Sequence, residues 1–210
     1  MNKKIYAAKN SILKQKKFYF FLATLMVIGI ISGMVFIFFL NESDTKEVVT
    51  EITSFFNLIK IDNSIDYGES LTNTLIINIC YVLIIWLLGI SIIGFPIIIS
   101  ILFMKSFIFG FSISSIIKAY GFKGILGAFL YVFPHNLIML ILYLLLGFYS
   151  LSFCFKLFSY LFLKKNINFK TTMNKYIKIL IVSLIITIII TFYEVFLSTY
   201  FMKLFTLFLK

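Results

Sequence analysis

The stretch that decides the fold runs from Leu71 to Ile117, LTNTLIINICYVLIIWLLGISIIGFPIIISILFMKSFIFGFSISSII, and Lys105 is its one charged residue. As a single helix these 47 residues would be about 70 Å long at 1.5 Å per residue. The hydrocarbon core of a bilayer is only ~30 Å thick. The segment must therefore fold back on itself. Gly89, Gly94 and Pro96 in LGISIIGFP supply the break, because glycine permits unusual dihedrals and proline removes a backbone donor. This predicts a helical hairpin over 71–117 with spans near 71–92 and 95–117.

Working outward, three more apolar stretches are long enough to cross a membrane. The first covers 18–40. Its Lys-rich flank resembles a signal peptide, but the apolar core is longer than the ~7–15 residues of a signal sequence, so it reads as an uncleaved span. Another lies within 118–149, from Gly124 to about Tyr149, and the last runs from Ile179 to Phe201 within 179–210. The expectation is an all-α polytopic membrane protein of five transmembrane helices. Composition agrees: 61% of the 210 residues are hydrophobic and 13% are charged, about half the charge of a soluble domain. Mean hydropathy is +1.07. A soluble enzyme, a disordered chain and a nucleic-acid module are excluded on these grounds.

The net charge of +11 is then a question of topology. With the N-terminus in the cytoplasm, the basic segments 1–17 and 150–178 lie inside with 12 of the 19 Lys. The loop 41–70, the turn 118–123 and the C-terminal tail lie outside with 6. Seven of the eight acids fall between Glu42 and Glu69 in that outside loop. The prediction is N-terminus cytoplasmic, C-terminus outside. All basic residues are Lys and none is Arg, which with the abundant Asn, Ile, Phe and Tyr fits a low-G+C bacterial genome. It also removes bidentate guanidinium recognition from the available chemistry.

Few segments are left to carry function. Over 44–60, Val48, Ile52, Phe55, Phe56 and Ile59 fall on one helical face, while Glu47, Glu51 and Ser54 point elsewhere. Such a helix can dock a partner, lie on the leaflet, or pack on the protein's own bundle. Gly29 and Gly33 in the first span, and Ser106, Gly110 and Ser114 in the third, form small-residue stripes of the kind that let membrane helices approach closely. Packing within the chain and assembly into a homo-oligomer are both open. Three spans carry mid-depth polar groups: Lys105, His135 with Asn136 after Pro134, and Glu194. Buried ionisable groups of this kind should face inward and find partners. Lys105 and Glu194 differ in predicted depth by only ~6 Å, so they can pair. Pro134 also frees the Leu130 carbonyl, which His135, Asn136 or a water is expected to satisfy. The set reads either as a structural cluster or as a proton or substrate path.

Cys80 and Cys154 sit in apolar runs and are expected to be small hydrophobic side chains. No cofactor and no metal is expected, since one His and two Cys make no ligand set. Ser91 in GISIIG is not a nucleophile elbow, and no Asp occurs in any span to support intramembrane aspartyl proteolysis.

The order of the landmarks between Leu88 and Ile138 resembles the stage II sporulation protein M family: a Gly–Pro helical break, a Phe-x-Lys…Gly-Phe span, a Gly-x-x-Gly turn, and Pro-x-Asn in the next span. Here these are Gly89, Gly94, Pro96, Phe103, Lys105, Gly110, Phe111, Gly121, Gly124, Pro134 and Asn136. Ser106 stands where glycine is expected, and His135 where glutamine is typical. The resemblance implies a multi-pass protein of the mother-cell septal or engulfing membrane during endospore formation. It implies a non-enzymatic scaffold that anchors a lytic transglycosylase and an amidase/endopeptidase for septal peptidoglycan degradation. Its contacts would be with those hydrolases and the lipid bilayer, not with nucleic acid. The competing expectation, from the broken hairpin and the Lys105, His135, Glu194 set, is a permease or transporter subunit.

Overall fold

The computed structural model describes residues 2–61, 67–162, 168–198 and 200–201, with side chains from 16–57, 67–162, 168–197 and 200–201. The described residues are almost entirely helical. In chain order they form α1 (Asn2–Phe36), α2 (Glu42–Ile61), α3 (Tyr67–Ile90), α4 (Gly94–Tyr120), α5 (Phe122–Gly127), a π-helical turn (Ala128–Val132), α6 (Phe133–Phe162), α7 (Phe169–Tyr193) and a second π-helical turn (Glu194–Ser198). Five stretches are long and apolar enough to cross a membrane: Lys16–Phe36, Tyr67–Ile90, Gly94–Tyr120, Phe122–Phe162 and Phe169–Leu197. Large apolar side chains such as Phe20, Ile93 and Phe122 stand outside the bundle, an arrangement suited to lipid rather than water.

The hairpin forms where Gly94 and Pro96 place it. A tight turn at 91–93 joins α3 to α4, with Ser91 N–H donating to the Leu88 carbonyl (3.0 Å) and Gly94 N–H to the Ser91 carbonyl (3.1 Å). A Cβ on Gly94 would strike the Leu88 carbonyl. Pro96 sits in the first turn of α4, where its missing N–H has no intrahelical partner to lose. Cys154 is buried, as expected of a small hydrophobe, and its thiol also donates to the Ser91 carbonyl at 3.3 Å, which ties α6 to this turn. Cys80 is exposed on the bundle surface.

The two small-residue stripes face each other. α1 packs along α4 as the most extensive helix pair. A Cβ on Gly33 would meet the Phe107 carbonyl, and one on Gly110 the Ile30 carbonyl. Ser106, in the place of the expected glycine, is fully buried opposite Gly29. It folds its hydroxyl back to the Leu102 carbonyl (2.8 Å), which keeps it compact.

Span ends differ from the hydropathy reading. The first helix stops at Phe36 and gives way to a turn over 37–39, four residues short of the predicted end. Helix continues through Tyr149 to Phe162 and resumes at Phe169, so most of 150–178 is helical hairpin rather than loop. Lys-rich helical turns are too polar for a hydropathy window but have no reason to unwind. The Lys side chains at 3, 4, 9, 14, 60, 164, 165, 203 and 210 lie outside the described residues.

Candidate functional site

The site lies under α2, where α4, the π-turn/α6 region and the end of α7 converge. α2 begins with Glu42 and Asp44, acids that suit the positive end of a helix dipole. Its apolar face is turned inward. Phe56 is 2% exposed and meets Tyr120 (centroids 5.4 Å) and Tyr131 (6.4 Å) edge-on. Ile52 packs on the core, and Val48 is half-buried. Phe55 remains 43% exposed beside Tyr131. The face proposed to dock a partner is therefore covered in large part by the protein's own bundle. The reason is that Tyr120 and Tyr131 offer an aromatic seat within the same chain. Ile59 lies outside the described side chains.

Beneath α2 is a cavity of about 710 Å³. Glu47 and Glu51 stand on its α2 wall, Ser112 and Ser115 on its α4 wall, and His135, Asn136 and Glu194 inside it. His135 and Asn136 come from a local irregularity of the chain: they follow the π-turn at Ala128–Val132, and Glu194 opens the second π-turn. A π-turn changes the helical phase and so re-aims the side chains that follow it.

The hydrogen bonds connect three spans. Asn78 of α3 donates to Thr191 Oγ1 (3.1 Å) and to Glu194 Oε2 (3.2 Å). Thr191 Oγ1 in turn donates a hydrogen bond to the Thr187 carbonyl (2.9 Å). His135 Nε2 lies 3.6 Å from Glu194 Oε1. Asn136 Nδ2 contacts His135 Nε2 (2.8 Å) and donates to the Val132 carbonyl (3.0 Å). It is the Val132 carbonyl, four residues back, rather than that of Leu130, that receives the amide. The His135 ring also bonds the Tyr131 carbonyl. With Nε2 accepting from Asn136, the N–H left to donate is Nδ1, so these contacts describe the neutral ring.

Lys105 takes part differently from the expected pairing. Its ammonium rests 3.4 Å above the centroid of Tyr81, with Tyr143 at 6.0 Å. Among the described residues Lys105 and Glu194 form no ion pair within 4 Å. Glu194 is held instead by Asn78 and His135. A cation over an aromatic face is a stable solution where water is scarce.

The structure thus gathers Lys105, His135, Asn136 and Glu194 in one region and leaves Gly89, Gly94, Pro96, Gly110 and Gly124 as packing and turn positions. Gly89 makes room for the Tyr176 hydroxyl, which donates to the Trp86 carbonyl (2.7 Å) and contacts Ser150 Oγ (2.9 Å). Gly124 abuts the Ile116 carbonyl. Asn78, Tyr81, Thr191 and Ser115 belong to the cluster but were not singled out from sequence. Asn78 carried a usable signal, as an amide inside an uncharged span. A hydroxyl in a membrane helix carries none, since most bond their own i−4 carbonyl.

A bundle of five membrane-spanning helices around a small polar cluster, crossed by one amphipathic helix, defines a polytopic membrane protein with no soluble domain among its described residues. The family model described as Stage II sporulation protein M matches residues 22–199, and the chain belongs to that family. No curated protein and no solved structure matches it. The sporulation reading of the sequence is borne out at the level of the family.

Proposed function

We propose that the protein is a non-enzymatic scaffold of the mother-cell septal membrane, which anchors a lytic transglycosylase and an amidase/endopeptidase during forespore engulfment. The family match over residues 22–199 carries this reading. The packing of the bundle supports it. Its small-residue stripes are used internally, and its polar groups are largely tied to one another across α3, α6 and α7. What remains for partners is the outer side of α2, with Lys46, Thr50, Ser54 and Asn57 exposed. A deletion strain should stall at engulfment, and the tagged chain should recover the two hydrolases from sporulating cells. Normal engulfment with no co-purifying hydrolase refutes the proposal.

One observation favours a second reading, a permease or transporter subunit: the cavity of about 710 Å³ that ends on His135 and Glu194. Replacing Lys105 and Glu194 together with apolar residues separates the two. A scaffold still assembles with its hydrolases, whereas a transporter loses activity.

A further inference from the structure

A second pair of cavities lies between α6 and α7, at the opposite end of these helices from Glu194. The first, about 400 Å³, is lined by Lys156 on α6 and Lys175 and Lys178 on α7. Ser152, Thr171 and Thr172 add hydroxyls to its wall. No carboxylate lines it, and the chain has no Asp or Glu anywhere between Glu69 and Glu194. Three lysines therefore converge without a neutralising partner from either of the helices that carry them. α7 starts at this place, capped by Asn168, whose side chain accepts from Thr171 N–H (3.3 Å). The positive end of its dipole adds to the same field.

The second cavity, about 220 Å³, continues from the first along the same helix pair and shares Tyr149, Lys178 and Ile179 with it. Its remaining walls are apolar apart from Ser183, and they include Leu142, Leu145, Val182 and Ile186. Ser183 offers little to a polar ligand, because it is only 4% exposed. The polarity order along the groove is thus cationic and hydroxylated at the Lys-rich end, then hydrocarbon toward mid-span. A free phosphate ester would use only the first half of this shape.

From this continuity we propose that the α6/α7 groove is a binding site for one anionic glycerophospholipid. The phosphate lies among Lys156, Lys175 and Lys178, and one acyl chain lies along Leu142, Leu145 and Val182. Basic pockets between membrane helices are suited to such headgroups.

The full chain purified in detergent is offered phosphatidylglycerol and phosphatidylcholine with matched acyl chains, and bound lipid is counted by native mass spectrometry. One phosphatidylglycerol should stay on each chain under conditions that strip phosphatidylcholine. Each Lys→Gln change should weaken retention roughly 5-fold, and K156Q/K175Q/K178Q on the order of 100-fold. These lysines are exposed, so helicity by circular dichroism should not change. Val182→Trp, at a position 54% exposed, fills the apolar half and should also release the lipid. Equal retention of phosphatidylcholine overturns the proposal, as does triple-variant binding equal to the parent. Displacement of the lipid by millimolar inorganic phosphate, with V182W unaffected, overturns it in favour of a free phosphate site. Loss of a dimer by V182W without any bound lipid assigns the groove to a second copy of the chain and overturns it too.

Discussion

Gly110→Ala places one methyl group on the seam between α1 and α4, where it would lie on the Ile30 carbonyl. The obstacle is backbone, so no rotamer change relieves it and the two helices must separate. Overpacking by one methyl costs about 1–3 kcal/mol. A rigid obstacle belongs at the top of that range. Alanine returns about 1 kcal/mol through its better helix propensity. The net expectation is a loss of about 2 kcal/mol, close to a 30-fold fall in the folded-to-unfolded ratio. Gly147→Ala is the internal control. There the nearest atoms are the tips of the Leu102 side chain, at 2.8 and 3.3 Å, which can shift, so the propensity gain should nearly cancel the crowding. Unfolding by sodium dodecyl sulfate, followed by helicity and by the emission of Trp86, measures both variants. Should G110A stay within about 0.5 kcal/mol of the parent while light scattering shows a homo-oligomer falling apart, the stripes face another copy and the intramolecular seam is wrong.

Four other expectations are open to direct measurement. Asn78→Leu removes both of its hydrogen bonds and leaves Glu194 short of a donor, at a cost of about 1–3 kcal/mol in the same assay; an unchanged midpoint argues against a cohesive cluster. Phe56→Ala empties the aromatic seat of α2, and hydrogen exchange should rise across 42–57 while α3, α4 and α6 keep their protection. Tyr176→Phe deletes the bonds to Trp86 and Ser150 at a cost of about 1–3 kcal/mol, and because Tyr176 stacks on Trp86 (centroids 5.3 Å) the emission should shift as well. For orientation, single cysteines placed at Ser54 and Thr171 in a background lacking Cys80 and Cys154 should label from opposite sides, Ser54 from outside the cell; outside labelling of Thr171 reverses the topology.

The spans were legible because length and hydropathy are enough to require a break in a 47-residue apolar run with a single charge, and Gly94 with Pro96 marked where it falls. The glycine stripes were legible as close-packing surfaces, though their choice of each other was not. Spacing on one helix says nothing about which helix it meets. The polar cluster was half visible. Lys105, His135 and Glu194 are conspicuous in apolar spans, and depth arithmetic placed two of them level. Their connections were hidden, because the π-turn at Ala128–Val132 shifts the helical phase ahead of His135 and Asn136 and no local residue pattern announces it. Glu194 meets Asn78 because it lies one turn beyond Thr191 on the same face of α7, and both accept from that amide. The inward docking of α2 was an even alternative from sequence, and Tyr120 and Tyr131, distant in the chain, decided it.

The glycine seam also has a consequence for how the chain is made. Gly33 leaves the ribosome about 77 residues before Gly110, the residue whose helix it packs against. At about 5–20 residues per second, that is roughly 4–15 s of synthesis. During that interval α1 is already long and apolar enough to enter the membrane, yet its principal packing partner does not exist. The first span must wait in lipid with its notch open, and α4 closes it on arrival. Assembly of this bundle is therefore a late, post-insertion event at its N-terminal helix, and anything that binds small-residue notches in the bilayer has its opportunity then.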